Sequence, residues 1–362
     1  LLHHAHKEIR EESVVLLVVG DVARVLVATA SQDDGQVRVV VIGCVAQVAG
    51  VEDGGAVEQR VLVSSEDELV LSHGRPTSSN FETWLSAASF LAYGDKLWVS
   101  RAASSLANNA VAFGSETGVA TQIKNEDDYI FKASSLDANS HFYAKWPGDM
   151  GNTLKIAVCD SPAAYSSKIF TTSNADLVSL SFSVGSNTAV LTVNSGSSSN
   201  TTLTTLADLV LDSLSVGDYL VAGNTTVGTQ YMKVTNLSAS AVTANATVTA
   251  TINFATRYFM SDNVTITSNA TNSSNLQRYW EYHDVIGTAP GTSTFAATRN
   301  ANGASTFDEM HVVVIDKDGK FTNAPGTILE VWPNLSRATD ARGEQGGTIY
   351  YKSVLNEGSK FV

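Results

Sequence analysis

Histidines are the residues of this sequence that first suggest chemistry. His3, His4 and His6 stand close together, and imidazoles at such spacing can chelate Zn²⁺ or Ni²⁺. A terminal run without function explains them more simply. The other histidines are scattered and have no consistently spaced nucleophile beside them; they are His73, His141, His283 and His311.

Carboxylates offer a second kind of candidate, a cation site. The acidic run Asn125–Asp128 lacks the alternating oxygen ligands and the glycine of a calcium loop, so it indicates a solvated loop or a helix start. Asp316 and Asp318 precede Gly319, and the chemistry of a tight hairpin turn explains this pair. We therefore predict no metal-binding residues.

Glycines and short catalytic motifs complete the search. Gly148, Gly151 and Asn152 fit neither GxGxxG nor GxxxxGK[ST], and no helix is expected after them, so a phosphate-binding loop is not predicted. No GxSxG, HExxH or CxxC pattern occurs. The sequence thus predicts no catalytic residues, no cofactor-binding residues and no cofactor, and a protein that is not an enzyme.

Composition restricts the class of protein. Of 362 residues, 16% are charged and the net charge is −13, which argues against nucleic acid as the main partner. Cys44 and Cys159 stand in unrelated contexts, so we expect a reducing compartment and no disulfide framework. The longest apolar run, Val14–Val19, is far shorter than the roughly 18 residues that span a bilayer, so no direct membrane insertion is predicted.

The elements that would position these residues begin with a strand and a helix. Arg60–Val63 is rich in β-branched residues and predicts a buried strand. Ser65 precedes Glu68 by three residues, which is the spacing of a capping box at a helix start. Gly74, followed by Pro76, predicts the end of that helix.

A second helix and a second strand follow. Asn80 is the predicted N-cap, Gly94 the predicted end, and Leu97–Val99 the beginning of the next strand. The apolar residues fall on one predicted stripe, Phe81, Trp84, Leu85, Ala88, Leu91 and Ala92. The order strand, helix, helix, strand predicts a mixed α/β core.

Two later segments have comparable signals. In His141–Asp160, turns at Pro147-Gly148 and Gly151-Asn152 precede an alternating strand, in which Leu154, Ile156 and Val158 are the predicted inward residues. Near the end, His311–Ile315 predicts an apolar strand, residues 316–320 a tight hairpin, and Thr327–Trp332 the returning strand.

The region between them, residues 163–275, has a different composition. It contains no Glu, Pro or Cys, and its basic residues are Lys168, Lys233 and Arg257. Period-two runs with regular glycine turns predict an inserted all-β domain, a barrel or a sandwich. A saccharide-binding role is an open alternative, although the available aromatic residues occupy strand positions suited to core packing: Phe182, Tyr219, Tyr231, Phe254, Tyr258 and Phe259.

The first 55 residues are unusual. They are dense in valine, and the first proline and first aromatic residue of the sequence are Pro76 and Phe81. A divergent β segment, a vector-derived extension and an upstream stretch in a wrong reading frame are the competing explanations, and the last two are favoured. The trusted part of the protein is expected to start near Ala56.

Several segments, in their order and spacing, resemble the tail sheath subunit of contractile-tailed bacteriophages. They are EQRVLVSSEDELV, GRPT, NFETWLSAASFLAYGDKLWVSRA, FYAKWPGDMGNTLKIAVCDS and the run from Asp308 to Val362. With this resemblance, the expected organisation is a doubtful segment 1–55, a mixed α+β core 56–162, an outward-facing β insertion 163–275 and the second part of the core, 276–362.

The resemblance implies a structural subunit that polymerises as hexameric rings around a tail tube and contracts to drive the tube into the host. Its implied partners are other sheath subunits in a helical stack, the tail tube protein, and the baseplate and tail terminator proteins, with no nucleic acid. Its implied location is the virion, and the host cytoplasm during assembly. Because the sequence stops at Val362, before the C-terminal domain that such subunits have, we expect this segment alone to be monomeric. The alternatives are a host-surface or glycan-binding module, or the sheath of a bacterial contractile injection system.

Overall fold

The structure is a computed structural model of the 362-residue chain, and it describes residues 13–17, 26–30, 38–42, 55–78, 80–113, 120–169, 177–194, 200–224, 228–244, 247–255, 263–267, 276–299 and 306–362. The helices in these ranges are α1 (Glu66–His73), α2 (Phe81–Leu91), α3 (Glu126–Lys132), α4 (Pro162–Tyr165), α5 (Asn200–Asp212), α6 (Thr294–Arg299) and α7 (Tyr351–Gly358). Short 3₁₀ helices span Ala133–Ser135 and Asp149–Thr153.

The strands before residue 170 are β1 (Ser13–Leu17), β2 (Leu26–Ala30), β3 (Arg38–Ile42), β4 (Arg60–Val63), β5 (Leu97–Ser100), β6 (Val111–Phe113), β7 (Ser140–Tyr143), β8 (Leu154–Cys159) and β9 (Ser166–Lys168). Those that follow are β10 (Leu177–Phe182), β11 (Thr188–Asn194), β12 (Tyr219–Asn224), β13 (Gly228–Leu237), β14 (Ala241–Ala244), β15 (Thr247–Phe254), β16 (Val264–Thr267), β17 (Gln277–Tyr279), β18 (Glu309–Asp316) and β19 (Thr327–Ser336). The mixture of helices and antiparallel strands agrees with the predicted α/β class.

The chain divides into two compact units. Unit 1 comprises residues 1–157, 313–331 and 352–362, and unit 2 comprises residues 158–312 and 332–351. The domain limits expected from composition and resemblance, 163 and 275 in particular, stay a prediction.

In unit 1, one sheet has the strand order β1-β2-β3-β5-β4. Its first three strands form an antiparallel meander, β3 runs parallel to β5, and β4 pairs with β5 antiparallel. The structure therefore describes β pairing for three pieces of the valine-rich segment 1–55. The origin of that segment is still the hypothesis stated above.

The predicted strand and capped helix are present as β4 and α1, but β4 is not the buried strand expected, because Val63 is buried while Arg60 and Leu62 are exposed. Ser65 caps α1, because its hydroxyl accepts a hydrogen bond from the backbone N–H of Glu68 at 3.2 Å. The reciprocal half of the box is displaced by one residue, since the Glu68 carboxylate accepts from the backbone N–H and the hydroxyl of Ser64 at 2.8 and 2.7 Å. Gly74 ends the helix with a φ of 83°, in the left-handed region that suits glycine.

Helix α2 forms as predicted, but its buried stripe is different. Trp84 and Ala87 are buried, whereas Phe81 and Leu85 are 46% and 51% exposed. The indole N–H of Trp84 donates to the carbonyl of Gly74 at 2.9 Å, which fixes the rotation of α2 against the end of α1. This contact turns the Phe81–Leu85 edge outward and corrects the predicted stripe.

The predicted N-cap of α2 is also corrected. The Asn80 side-chain oxygen makes no capping bond to α2. It accepts instead from the backbone N–H of Thr77 at 2.6 Å, and so stabilises the turn that precedes the helix.

A three-stranded sheet has the order β19-β18-β8. Strand β18 is confirmed, and it is buried from Met310 to Asp316. In β8 the predicted alternation is out of phase: Ala157 and Cys159 are buried, while Val158 is 39% exposed. The connection from β18 to β19 runs over residues 317–326 and is a broad loop, not the predicted tight hairpin.

Unit 2 contains a sheet with the path β16-β10-β11-β15-β13-β12-β17-β9, and β14 pairs with β15. The period-two pattern predicted for this region is present in β15, where Val248, Ala250, Ile252 and Phe254 are buried and the residues between them are partly exposed. Helix α5 packs on the core of this sheet through Ala207, Val210 and Leu211. The inserted all-β domain, as a barrel or a sandwich, stays a prediction.

The contrast between Trp84 and Leu85 gives a test of the unit 1 core. We expect Trp84→Ala to lower the free energy of unfolding by about 3–5 kcal/mol, because it leaves a cavity and removes the bond to Gly74. Leu85→Ala should lower it by less than about 1 kcal/mol, since that side chain is half exposed. Urea unfolding followed by circular dichroism measures both, and equal losses would contradict the observed rotation of α2.

Candidate functional site

Asp316 is a buried polar side chain of unit 1 with several hydrogen-bond partners. It is fully buried at the end of β18. One carboxylate oxygen accepts from the hydroxyl of Thr153 at 2.8 Å. The other accepts from the backbone N–H of Phe321 at 2.9 Å, and from the backbone N–H and hydroxyl of Thr322 at 2.8 and 2.9 Å. These hydrogen bonds offset the free-energy cost of burying a carboxylate. Because they occupy both of its oxygens, we assign Asp316 a structural role.

Thr153 also bonds the loop that follows Asp316. We call Asp316, Thr153 and the loop 317–326 together the Asp316 hub. The carbonyl of Thr153 accepts from the backbone N–H of Lys317 at 2.8 Å, and its hydroxyl accepts from that of Asp318 at 3.0 Å. The Asp318 side chain is 52% exposed and lies 4.0 Å from the Lys317 ammonium. The two aspartates therefore do not converge, and the described residues include no group of three or more His, Cys, Asp or Glu placed to hold a metal ion.

The acidic run Asn125–Asp128 is the start of helix α3, as one of the sequence interpretations expected. The Asn125 side chain accepts from the backbone N–H of Asp128 at 3.0 Å and donates to the carbonyl of Val57 at 3.0 Å. Asp128 bonds the Lys132 ammonium at 2.8 Å and the backbone N–H of Lys124 at 2.9 Å. Partial burial raises the pKa of Asp128, but these two partners outweigh it and the net pKa is lowered.

The glycine-rich turn before β8 is a packing device. Gly148 has a φ of 122° and leads into the 3₁₀ helix Asp149–Thr153, a short helix that sequence inspection missed. A Cβ on Gly151 would lie 2.7 Å from the Cβ of Ala144 and 3.0 Å from that of Ala110. The glycine thus allows close backbone approach within unit 1, which is a different task from cradling a phosphate.

His73 is buried at the end of α1. Its Nδ1 lies 2.8 Å from the hydroxyl of Ser72, while its Nε2 has no hydrogen-bond partner among the described residues. Burial, and secondly the charge of Arg101, lower the pKa of His73 to about 4. Arg101 is itself buried and donates to the carbonyl of Gly55 at 3.0 Å. The imidazole is therefore neutral near pH 7.

His311 is fully buried in unit 2, and both ring nitrogens are used. Nδ1 accepts from the backbone N–H of Asn334 at 3.0 Å, so Nε2 carries the proton and donates to the carbonyl of Thr288 at 2.9 Å. The rings of Tyr165 and Trp280 lie 6.4 and 6.3 Å from its centroid. This histidine is a satisfied core residue.

The remaining candidates lie apart from these. His283 packs among tyrosines of unit 2, and His141 is exposed on β7. His3, His4, His6 and Cys44 lie outside the described residues. Burial raises the pKa of the Cys159 thiol to about 11, so this cysteine is a poor nucleophile at neutral pH. The structure brings none of the sequence candidates together into a reactive constellation within the described ranges.

A pocket of about 410 Å³ opens in unit 1. Trp146, Leu154 and Phe321 contribute apolar walls, and Glu68 and Lys145 contribute charges. The backbone N–H of Lys145 donates to the carbonyl of Phe361 at 2.7 Å, and its ammonium donates to that of Ser359 at 2.6 Å. The lining contains no histidine or cysteine.

Exposed apolar side chains are a more informative surface feature of unit 1. On α3, Ile130 is 67% and Phe131 84% exposed, and beyond α2 Tyr93 is 97% exposed. Side chains of this size in contact with water favour a protein-binding surface. Sequence inspection missed them because it followed reactive groups. Within the described ranges, no helix has the length and the apolar character needed to cross a bilayer.

Comparison with known proteins gives one partial match. Over 108 residues the chain is 38% identical to the tail sheath protein of Salmonella phage ViI, and the aligned part is 30% of this chain and 16% of that protein. No family model and no solved structure matches. The similarity to a tail sheath protein therefore covers less than a third of this chain and about one sixth of that relative.

The Asp316 hub predicts a specific pattern of stability losses. Asp316→Ala should lower the free energy of unfolding by at least about 3 kcal/mol. Several buried donors lose their acceptor in this variant, and each unsatisfied donor costs about 1–3 kcal/mol. Asp316→Asn should cost less, since its oxygen can keep the bonds to Phe321 and Thr322 while its N–H donates to Thr153. Asp318→Ala, an exposed neighbour, is the control and should change stability by less than about 0.5 kcal/mol. Denaturant unfolding measures all three, and a neutral Asp316→Ala would contradict the hub.

His73 predicts acid sensitivity of the fold. Its folded pKa of about 4 lies below the unfolded value near 6.5, so the unfolded chain binds the proton more tightly. Stability is therefore fully present above pH 6.5 and falls as the pH drops toward 4, by about 3 kcal/mol from this group.

Unfolding midpoints measured between pH 7.5 and 4 test this dependence. His73→Phe should flatten the slope between pH 6.5 and 4, and His141→Phe, at an exposed position, should retain it. An unchanged slope in His73→Phe would show that other groups cause the acid sensitivity.

Proposed function

We propose that this chain is a segment of a structural subunit of a contractile phage tail sheath. The identity to the phage ViI tail sheath protein carries the proposal. The ordered resemblance of separate segments, from residue 58 to Val362, supports it independently. In this role the subunits form hexameric rings that stack helically around a tail tube, and contraction drives the tube into the host.

The partners in this proposal are other sheath subunits, the tail tube protein, and the baseplate and tail terminator proteins. The protein is located in the virion, after assembly in the host cytoplasm. No cofactor is required, because the energy of contraction is stored in the packing of the extended sheath and released by a conformational switch. The sheath of a bacterial contractile injection system would use the same subunit architecture.

The surface of unit 1 supports a role in assembly. Phe131 and Ile130 are neighbours in α3 and largely exposed, and Phe81 and Leu85 are exposed on α2. Burying such side chains against a neighbouring subunit would contribute about 25 cal/mol per Å² of apolar area. The net charge of −13 also favours contacts that depend on apolar burial rather than on charge.

Electron microscopy of the complete reading frame that contains this sequence, expressed with the tail tube protein of the same genome, tests the proposal. We expect hollow, regularly striated tubes surrounding the inner tube. Soluble particles that never associate with the tube protein, under conditions where that protein polymerises, would contradict it.

The exposed residues of α3 provide a sharper prediction within that system. Ile130→Asp with Phe131→Asp should abolish tubes while the melting temperature stays nearly unchanged, because both side chains are exposed in the isolated chain. Leu209→Asp, 61% exposed on α5, is a matched control that should still assemble. Normal tubes from the α3 variant would exclude this surface from the subunit contacts.

A further inference from the structure

One face of the unit 2 sheet is unusually rich in tyrosine. Strand register places Tyr219 on β12 opposite Lys233 on β13 and opposite Tyr279 on β17. In the next row of the same face, Val221 lies opposite Tyr231 and Gln277. Alternation then directs the residues between these rows to the other face, which belongs to the core. We call this side, with His283 against it, the tyrosine face. On it Val221 is buried, Tyr219 and Tyr279 are half-buried, and Tyr231 is exposed.

The core does not need these rings. Leu220, Met232 and Ala222 on the opposite face are fully buried in the hydrophobic cluster of unit 2. By comparison, Phe182 and Phe254 are buried and stacked on each other at 6.2 Å. The aromatic residues predicted from sequence to suit the core therefore differ: Phe182 and Phe254 are buried, Tyr219 is half-buried and Tyr231 is exposed.

The rings are held in place before any ligand arrives. His283 lies 5.2 Å from the ring centroid of Tyr219 and 5.1 Å from that of Tyr279. It is parallel to Tyr231 within 5°, at 6.3 Å. Its Nδ1 lies 3.0 Å from the carbonyl of Trp280, which fixes the orientation of the imidazole. Such fixed rings lose little conformational entropy on binding.

One ring stays available for contact. The Tyr231 side chain is 57% exposed at the margin of the cluster, although it belongs to a rigid strand. An exposed, preorganised tyrosine offers an apolar face with a hydroxyl at its tip, which suits a ligand that is apolar and hydrogen-bonding at once.

Polar groups surround the rings. Gln277 accepts from the hydroxyl of Tyr279 at 2.8 Å. The Lys233 ammonium lies 3.0 Å from the Glu281 carboxylate and 5.8 Å from the centre of the Tyr219 ring. Lys168 on β9 lies opposite Gln277, in the same row, and is exposed. Donors and acceptors thus lie beside aromatic surface; the charge of Lys233 is paired with that of Glu281, and Lys168 adds one positive charge.

We propose that the tyrosine face is a saccharide-binding site, with the Tyr231 ring as the stacking platform and Gln277, Lys168 and Lys233 as hydrogen-bonding groups. Sugar rings present C–H faces to aromatic rings and hydroxyls to amide, ammonium and carboxylate groups, and this face displays both kinds of partner. Nucleic acid is disfavoured, because Lys233 is paired with Glu281 and the chain carries a net charge of −13. The inference does not depend on sheath assembly.

Binding of the full chain to an array of neutral and acidic bacterial oligosaccharides tests the inference, followed by titration calorimetry with the strongest hit. We expect Tyr231→Ala to weaken binding about tenfold or more. Tyr231→Phe should retain most of it, because the ring remains. Tyr93→Ala removes a tyrosine that is 97% exposed in unit 1, and it should bind like the unchanged chain.

The other outcomes overturn the proposal. If the unchanged chain bound no oligosaccharide, the proposed saccharide-binding activity would be excluded. Equal losses in Tyr231→Ala and Tyr93→Ala would indicate nonspecific adhesion, and full binding by Tyr231→Ala would place the site elsewhere. Circular dichroism of each variant identifies misfolding, and if Tyr231→Ala misfolds, Gln277→Ala with Lys168→Ala replaces it under the same criteria. None of these outcomes affects tube formation, so the two proposals fail independently.

Discussion

The buried carboxylate of Asp316 is the interaction on which unit 1 most depends. An unpaired carboxylate in this position would be prohibitively unfavourable, so the loop 317–326 must fold around it to supply donors. Its bond to Thr153 joins residues that are 163 positions apart in the sequence. Most of unit 2 lies between these two residues in the sequence, and this bond holds the two ends of that long segment together. The entropic cost of closing so long a loop grows only slowly with its length.

Apolar packing near the hub follows from the same bonds. Phe321 donates its backbone N–H to Asp316 and packs its ring in a cluster with Met150, Val314 and Phe361. The Phe321 and Phe361 rings meet edge to face at 5.1 Å. Met150 belongs to the 3₁₀ helix that ends at Thr153, so both sides of the cluster are positioned by residues bonded to one carboxylate.

Local signals made much of this fold predictable. The β-branched run Arg60–Val63, the Ser65 cap and the apolar strand at His311–Ile315 are properties of a few adjacent residues, and the structure has each of them. Predictions that required knowledge of tertiary partners were wrong. The hydrogen bond from Trp84 to Gly74 selects which face of α2 is buried, and no helical periodicity contains that information. The breadth of the loop after Asp316 follows from carboxylate burial, which the turn-like sequence Asp-Lys-Asp-Gly-Lys conceals.

The tyrosine face also could not be predicted from local sequence alone. Tyr219 and Tyr231 occupy strand positions that look like core positions, and only the register of β12, β13 and β17 reveals that they share one face. Tyr279 and His283 come from beyond residue 275, where composition had placed the boundary of the insertion. The residues of the tyrosine face therefore come from both sides of the composition boundary, that is, from the predicted insertion and from the predicted second part of the core.

The two exposed surfaces differ in a way that assigns them different partners. In unit 1, Ile130 and Phe131 expose purely apolar side chains, which gain free energy only by leaving water, and a large protein interface is the partner that removes water from them. In unit 2, Tyr231 combines an apolar ring with a hydroxyl, and it stays compatible with water when unoccupied. A permanent contact suits the first surface and a reversible, hydrated ligand suits the second, so the two proposed functions, subunit assembly and saccharide binding, would not compete for the same residues.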